Sequence, residues 1–188
     1  MEGLSKHNSL YPYCHYKCSA LYPLTPDRLA VSAVADVTSI NIALLTITKD
    51  LVALNSTLAN FSGDVFAAIP ILGSLNKLLG SIRADANTAK KSAPLNFNDT
   101  LIIDESTADL VEDSTQTLNT LIAAKPKFDK LYIVTPINLG FTKNRREATA
   151  NLSSALIENV PANLQPVAKA LVQGIDDDFA RGAKAYGG

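Results

Sequence analysis

The sequence predicts an all-α fold, a five-helix bundle with a central apolar cavity or tunnel. Leu, Ile, Val and Ala recur every three or four residues in five segments after Asp36, as one buried face of an α-helix requires. Short stretches that contain Pro or Gly separate these segments. Long helices with short connections are typical of a bundle.

The first helix starts near Asp36, and its length is roughly 35–40 Å at 1.5 Å per residue. Ser62-Gly63-Asp64 ends it, because Gly tolerates positive φ and Ser62 or Asp64 can cap the next helix. Its apolar stripe is unbroken and consists of Val37, Ile40, Leu44, Ile47, Leu51, Leu54, Leu58 and Phe61.

The second helical pattern runs from Val65 to about Lys91. Because an interior proline removes a backbone hydrogen bond, Pro70 predicts two pieces, 64–70 and 71–91. The predicted buried face comprises Val65, Ile69, Leu72, Leu75, Leu79, Ile82, Ala86 and Ala89.

A third helix is predicted from a cap at Asp99 or Thr100 to about Ala124, with a disruption at Pro126. The apolar stretch 131–141 could be a strand by composition, but it has no partner strand, so a short helix and an apolar connector are expected. The predicted core positions of this helix are Ile103, Leu110, Val111, Leu118, Leu121 and Ile122.

The fourth helix is predicted from about 142 to 159, and the fifth follows Pro166, which suits a first helical turn. The inward residues of the fourth are Thr149, Leu152, Ser153, Leu156 and Val160. Those of the fifth are Leu164, Val167, Ala168, Leu171, Val172, Ile175 and Phe179.

Two regions differ in composition: a foreign or weakly ordered leader, or else a genuine extension, over 1–34, and a helical domain over 35–186. Every His and Cys lies before residue 19, and the rest of the chain also lacks Met and Trp. Nucleophilic catalysis needs a positioned base, and most metal sites need His, Cys or clustered carboxylates. The sequence therefore predicts a protein that is not an enzyme and binds no metal or cofactor.

Charge is nearly balanced, with 17 Lys and Arg against 18 Asp and Glu. Lys143, Arg145 and Arg146 form one basic spot that is too small to indicate nucleic acid. No run of about 20 apolar residues exists, so no membrane span is expected. Residues 1–34 lack the continuous apolar segment of a signal peptide.

Four Asn-x-Ser/Thr sequons begin at Asn55, Asn60, Asn98 and Asn151. Such sequons accept N-linked glycans in secreted proteins. A body without Cys, Met or Trp also resists oxidation outside the cell. Together these features favour a secreted, glycosylated protein.

The apolar stripes have a simple interpretation as core, and a second one as the wall of a lipid cavity. Pro70, Gly73 and Gly80 interrupt a core helix, the 131–141 stretch is unusually apolar, and few large aromatic residues are available to fill a wide interior. A lipid carboxylate would need polar partners, because burying it unpaired is costly. Ser153 and Gln165 are the candidates for that role.

Three short strings, 35–40, 60–63 and 160–165, together with Gly174-Ile175-Asp176, resemble the fungal cell-wall galactomannoprotein family, also called hydrophobic surface-binding protein A. The resemblance covers about residues 35–186, and the most similar members are lipid-binding domains of secreted fungal mannoproteins linked to virulence. It implies a central apolar tunnel that binds long-chain fatty acids, including arachidonic and palmitic acid, and a cell-wall location.

The expected function is therefore non-catalytic binding and sequestration of a long-chain fatty acid. The alternative is a cell-surface adhesin that coats hydrophobic surfaces and recruits other secreted proteins. The long helices with broad apolar faces would also permit a homodimer through helix exchange. Candidate ligand contacts are Leu44, Ile47, Leu51, Leu72, Leu75, Leu79, Leu118, Leu152, Ser153, Leu156, Gln165, Leu171 and Ile175.

Overall fold

The computed structural model describes residues 36–131 and 134–186, and only the backbone of 134–143. All the described helices lie in one compact unit, Ala33–Gly188. The predicted leader lies outside the described residues. The five helices are α1 (Val37–Ala59), α2 (Val65–Lys90), α3 (Phe97–Asp129), α4 (Val134–Asn159) and α5 (Gln165–Ala185). The described ranges contain no strand, and the all-α prediction is confirmed.

The helices form a closed ring in which each packs against two others. α1 lies between α2 and α3, α5 lies between α3 and α4, and α2 packs against α4. The Asn159 Nδ2 atom donates to the Ala89 carbonyl oxygen at 2.6 Å, so α2 and α4 end together. A ring of five helices has inward faces that surround one central axis, and this arrangement positions the site.

Side-chain caps fix where three helices begin. Asp36 Oδ1 accepts from the Ser39 amide at 2.8 Å, and Asp64 Oδ1 accepts from the Phe66 amide at 2.7 Å. Gly63, with φ of 87°, makes the turn between α1 and α2. The predicted cap of α3 was wrong: Asn96 Oδ1 accepts from the Asp99 amide at 2.9 Å, so that helix starts a turn earlier.

Pro70 and Pro126 were predicted to split or disrupt their helices, and neither does. α2 is one helix through Pro70, and α3 continues through Pro126 to Asp129. Both rings are exposed, and each proline lies within two turns of a helix end, where one missing hydrogen bond leaves the remaining packing in place. The predicted 131–141 connector and the start near 142 were also wrong, since α4 begins at Val134.

The α1 stripe is buried as predicted, apart from half-buried Val37, and Phe61 stacks on Phe128 with ring centroids 4.3 Å apart. The predicted face of α2 was wrong in its first half, because Val65, Ile69 and Leu72 are 46%, 59% and 38% exposed. That half is apolar on all sides, so periodicity could not select the buried face. Val167 of α5, also predicted to be buried, is exposed.

α1 and α2 are long and apolar enough to cross a membrane, by length and composition alone. Core helices of bundles pass the same test. Both helices bury one apolar stripe inside the ring, α1 against α2 and α3, and α2 against α1 and α4.

Candidate functional site

Residues from all five helices line a partly open cavity of about 80 Å³ inside the ring. This volume is several times the minimum of about 10–15 Å³ that a cavity needs to hold one water molecule. The apolar lining residues are Ile47, Leu51, Leu54, Leu78, Ile82, Leu110, Leu118, Leu121, Leu152, Leu156, Val172, Ile175 and Phe179. The polar ones are Thr107, Ser114, Thr117, Arg145, Thr149, Ser153 and Asp178.

Two of the polar lining residues have hydroxyls that are already engaged with the backbone. Thr107 Oγ1 donates to the Ile103 carbonyl oxygen at 2.6 Å, and Thr117 Oγ1 donates to that of Leu51 at 3.3 Å. These hydroxyls therefore add little polarity to the wall. The cavity is predominantly aliphatic, as binding sites for apolar ligands are.

A polar stripe follows α4 along one side of the cavity. Arg145, Thr149 and Ser153 are spaced by four residues, so they share a helix face, and all three are buried. Burial lowers the pKa of the Arg145 guanidinium to about 10, which leaves it cationic at neutral pH. The buried Thr149 hydroxyl has no hydrogen-bond partner among the described residues.

Asp178 of α5 also lines the cavity, and both of its oxygens are engaged. Thr115 Oγ1 donates to Oδ2 at 2.5 Å, and Arg181 Nη2 donates to Oδ1 at 2.6 Å. The Arg181 cation therefore offsets the Asp178 charge. The described residues contain no group of three or more His, Cys, Asp or Glu side chains that could hold a metal ion.

A second cavity of about 60 Å³ lies between α3, α4 and α5. It shares Thr107, Leu156 and Val172 with the central cavity, so the two adjoin. Together they follow α3 from Leu121 to Thr100, a distance of about 32 Å at the helical rise per residue. The further lining of the second cavity is Leu101, Ile103, Asp104, Ile157, Val160, Leu164, Val167, Ala168 and Leu171, besides Thr100.

The structure brings part of the predicted ligand-contacting set together. Leu171 lines the second cavity, whereas Gln165 lines neither and its Nε2 atom donates to the Val160 carbonyl oxygen at 3.3 Å. Leu44 and Leu75 are buried in the core, while Leu72 is exposed and Leu79 half-buried on α2. The central cavity is lined by the predicted residues Ile47, Leu51, Leu118, Leu152, Ser153, Leu156 and Ile175. Ligand contact by any of them stays a prediction.

Sequence reasoning missed Arg145, which it assigned to a surface basic spot. The flanking residues Asn144, Arg146 and Glu147 are indeed exposed. One signal was available: Arg145 precedes Thr149 by four residues, which extends the predicted inward face of this helix by one turn.

Three of the sequon asparagines, Asn60, Asn98 and Asn151, are exposed, and Asn55 is half-buried on α1. The Asn60 Nδ2 atom donates to the Ser56 carbonyl oxygen at 2.9 Å. Three sequons are therefore presented on the surface of the bundle.

Solved structures with the same fold carry fatty acids. AfMP4p, in complex with palmitic acid, superposes with a TM-score of 0.77 at 22% identity, over 80% of this chain and 99% of that one. Ligand-binding domain 2 of the Penicillium marneffei Mp1 protein, complexed with multiple arachidonic acids, gives 0.75 at 19%, over 81% and 97%. Domain 1 of that protein, complexed with arachidonic acids, gives 0.75 at 15%, over 80% and 99%. At these sequence identities, the structural similarity shows only that the chains share a fold.

The sequence itself matches the family described as hydrophobic surface binding protein A over residues 37–158, roughly two thirds of the chain. No curated protein matches it. The matched region contains α1, α2, α3 and α4, which supply most of the cavity wall. The family predicted from sequence is thereby confirmed, and the chain belongs to the hydrophobic surface binding protein A family.

Proposed function

We propose that the protein binds long-chain fatty acids, such as palmitic or arachidonic acid, inside the helical ring and sequesters them without chemical change. The observation that carries the proposal is the aliphatic cavity that all five helices line. Each methylene that enters it gains about 0.8 kcal/mol. Fold relatives complexed with palmitic and arachidonic acids add support.

The two adjoining cavities, at about 80 and 60 Å³, are narrow for a whole acyl chain. Binding therefore requires the lining side chains to separate. Ser114, Val172 and Phe179 are only half-buried at the wall, and α3 and α4 are not neighbours in the ring. These features allow α3 and α4 to move apart on this side of the cavity with little direct packing between the two helices to break.

Native mass spectrometry of delipidated protein tests the proposal, with palmitate and arachidonate as probes. Ser153→Leu places a larger side chain at the cavity wall, and Ser154→Leu makes the same change at the exposed neighbouring position. Wild type and Ser154→Leu should take up both acids, whereas Ser153→Leu should lose most of the uptake. If wild type takes up neither acid, or both variants bind like wild type, the internal site is wrong.

A second candidate function is adsorption to hydrophobic surfaces, and an exposed apolar patch at the start of α2 favours it. The patch consists of Val65, Phe66, Ile69 and Leu72, of which Phe66 is 78% exposed. Contiguous exposed apolar side chains mark interaction sites on soluble proteins. A Phe66→Ser and Ile69→Ser double variant should adsorb less to polystyrene and keep its palmitate uptake. Unchanged adsorption would remove this candidate.

We further propose that the protein is secreted and glycosylated. The family resemblance implies the same, together with a cell-wall location and a role in virulence. The exposure of Asn60, Asn98 and Asn151 supports this. Expressed in a fungal host with a fused secretion signal, the protein should appear in the medium and lose mass on treatment with an N-glycan endoglycosidase. An unmodified protein retained in the cells would contradict the proposal.

A further inference from the structure

We propose that Arg145 holds the head group of the bound lipid, so that the cavity selects single-chain lipids with an anionic head over neutral lipids of the same chain length. This inference rests on the proposed function and adds to it a head-group preference and a direction of binding. It is carried by the charges that line the two cavities and by the polar stripe on α4.

Arg145 is the one cationic side chain among the described residues that line either cavity. It is 5% exposed, and its pKa is lowered by burial, so its charge is held where water stabilises it poorly. An anion brought to the guanidinium compensates for the lost water. A guanidinium has five N–H donors in a planar fork, so it can serve protein acceptors and a carboxylate together.

The hydroxyls beside Arg145 complete a head-group site. Thr149 lies one turn along the same face of α4, and its buried hydroxyl has no hydrogen-bond partner among the described residues. A buried hydroxyl without a partner is costly, and a carboxylate oxygen next to Arg145 would relieve that cost. Ser153, one further turn along, offers a second hydroxyl at the wall.

The remaining charges favour one direction of binding. Asp178 lines the central cavity, but Thr115 and Arg181 engage both of its oxygens. Asp104 lines the second cavity, where a lipid carboxylate would meet a like charge. The carboxylate therefore binds at Arg145, and the chain runs past Leu156 and Val172 toward the second cavity.

Competition between palmitate and 1-hexadecanol, loaded from cyclodextrin and followed by native mass spectrometry, tests the inference. Wild type should prefer the acid by roughly ten- to a hundredfold, as the loss of a charge-assisted hydrogen bond predicts. Arg145→Met should bring the two probes to similar affinity and leave the alcohol bound. Arg145→Lys should restore part of the preference, and Arg146→Met, at an exposed neighbour, should behave like wild type.

Each outcome separates this inference from the proposed function. Equal wild-type affinity for acid and alcohol would overturn the head-group role and leave fatty-acid binding standing. Binding of neither probe would overturn the proposed function itself. If Arg145→Met does not fold, Thr149→Val provides a second test. This variant should bind palmitate more weakly and hexadecanol as tightly as wild type does. Equal loss of affinity for both probes would count against the inference.

Discussion

Gly182 of α5 lies so close to Leu118 of α3 that a β-carbon on Gly182 would come within 2.7 Å of Leu118 Cδ1. Gly182 is buried, and Leu118 lines the central cavity. The missing side chain therefore lets α5 approach α3 at this point. The position of the cavity wall on this side depends on that approach.

Gly182→Ala should push the end of the Leu118 side chain toward the cavity. Overpacking of this kind lowers the unfolding free energy by roughly 1–3 kcal/mol. The higher helix propensity of Ala offsets about 1 kcal/mol of this loss. We expect a modest loss of unfolding free energy in urea and weaker palmitate uptake. The control is Gly73→Ala, where a β-carbon meets nothing within 4 Å, so stability should rise by about 0.5–1 kcal/mol. If the two substitutions change the unfolding free energy equally, Gly182 does not lie as close to Leu118 as described.

Asp85 of α2 should make the stability of the protein fall as pH rises from about 4 to 7. The residue is 1% exposed, and neither carboxyl oxygen has a hydrogen-bond partner among the described residues. Burial raises its pKa from 3.8 to about 7, so in this window the folded state holds a proton that the unfolded state has released. The contribution of Asp85 to the unfolding free energy then falls by up to about 1.4 kcal/mol per pH unit and levels off above pH 7.

The measurement is urea unfolding across that range for wild type and Asp85→Leu, so that the other carboxyl groups cancel in the difference. Replacing a buried, unpaired carboxylate by an apolar side chain should stabilise the protein most at pH 7 and above. The advantage should shrink toward pH 4. A difference that does not change with pH would show that Asp85 does not titrate in this way.

Asp50 of α1 should have the opposite pH dependence. Burial opposes its ionisation, but the Lys77 ammonium at 2.8 Å and the Ser81 hydroxyl at 2.6 Å together lower the pKa of Asp50 below 3.8. Its stabilising contribution is present above that value and is lost as pH falls further. Asp50→Asn should therefore lower the unfolding free energy near pH 7 by about 1–2 kcal/mol. Ser81→Ala should lower the unfolding free energy by less. If Asp50→Asn is as stable as wild type at pH 7, the contacts of Asp50 with Lys77 and Ser81 do not stabilise the fold.

The fold was largely predictable because the periodicity of apolar residues is strong where one face alone is buried. Ile40, Leu44 and Leu54 of α1 show this, and all are buried. Prediction failed where the sequence is apolar on every side, as around Ile69. It also failed at the α3 cap, where Asn96, Asp99 and Thr100 are all suitable capping residues.

The site was less predictable than the fold. Aliphatic residues such as Leu51 and Leu44 have the same pattern in the sequence, yet only Leu51 lines the cavity. Which inward residues border an opening depends on how five helices pack together, and periodicity does not contain that information. Arg145 was missed for a different reason, since a charged residue among charged neighbours is usually solvated.

Crystallographic analysis of the protein with ω-brominated palmitic acid would locate both ends of a bound lipid. The anomalous signal of bromine marks the chain end, and the electron density shows the path of the chain. We expect density between the five helices, with the carboxylate at Arg145 and the bromine beyond Leu156 and Val172, toward the second cavity. Bromine found only on the exterior, against Phe66 and Ile69, with an empty interior, would rule out fatty-acid binding inside the helical ring.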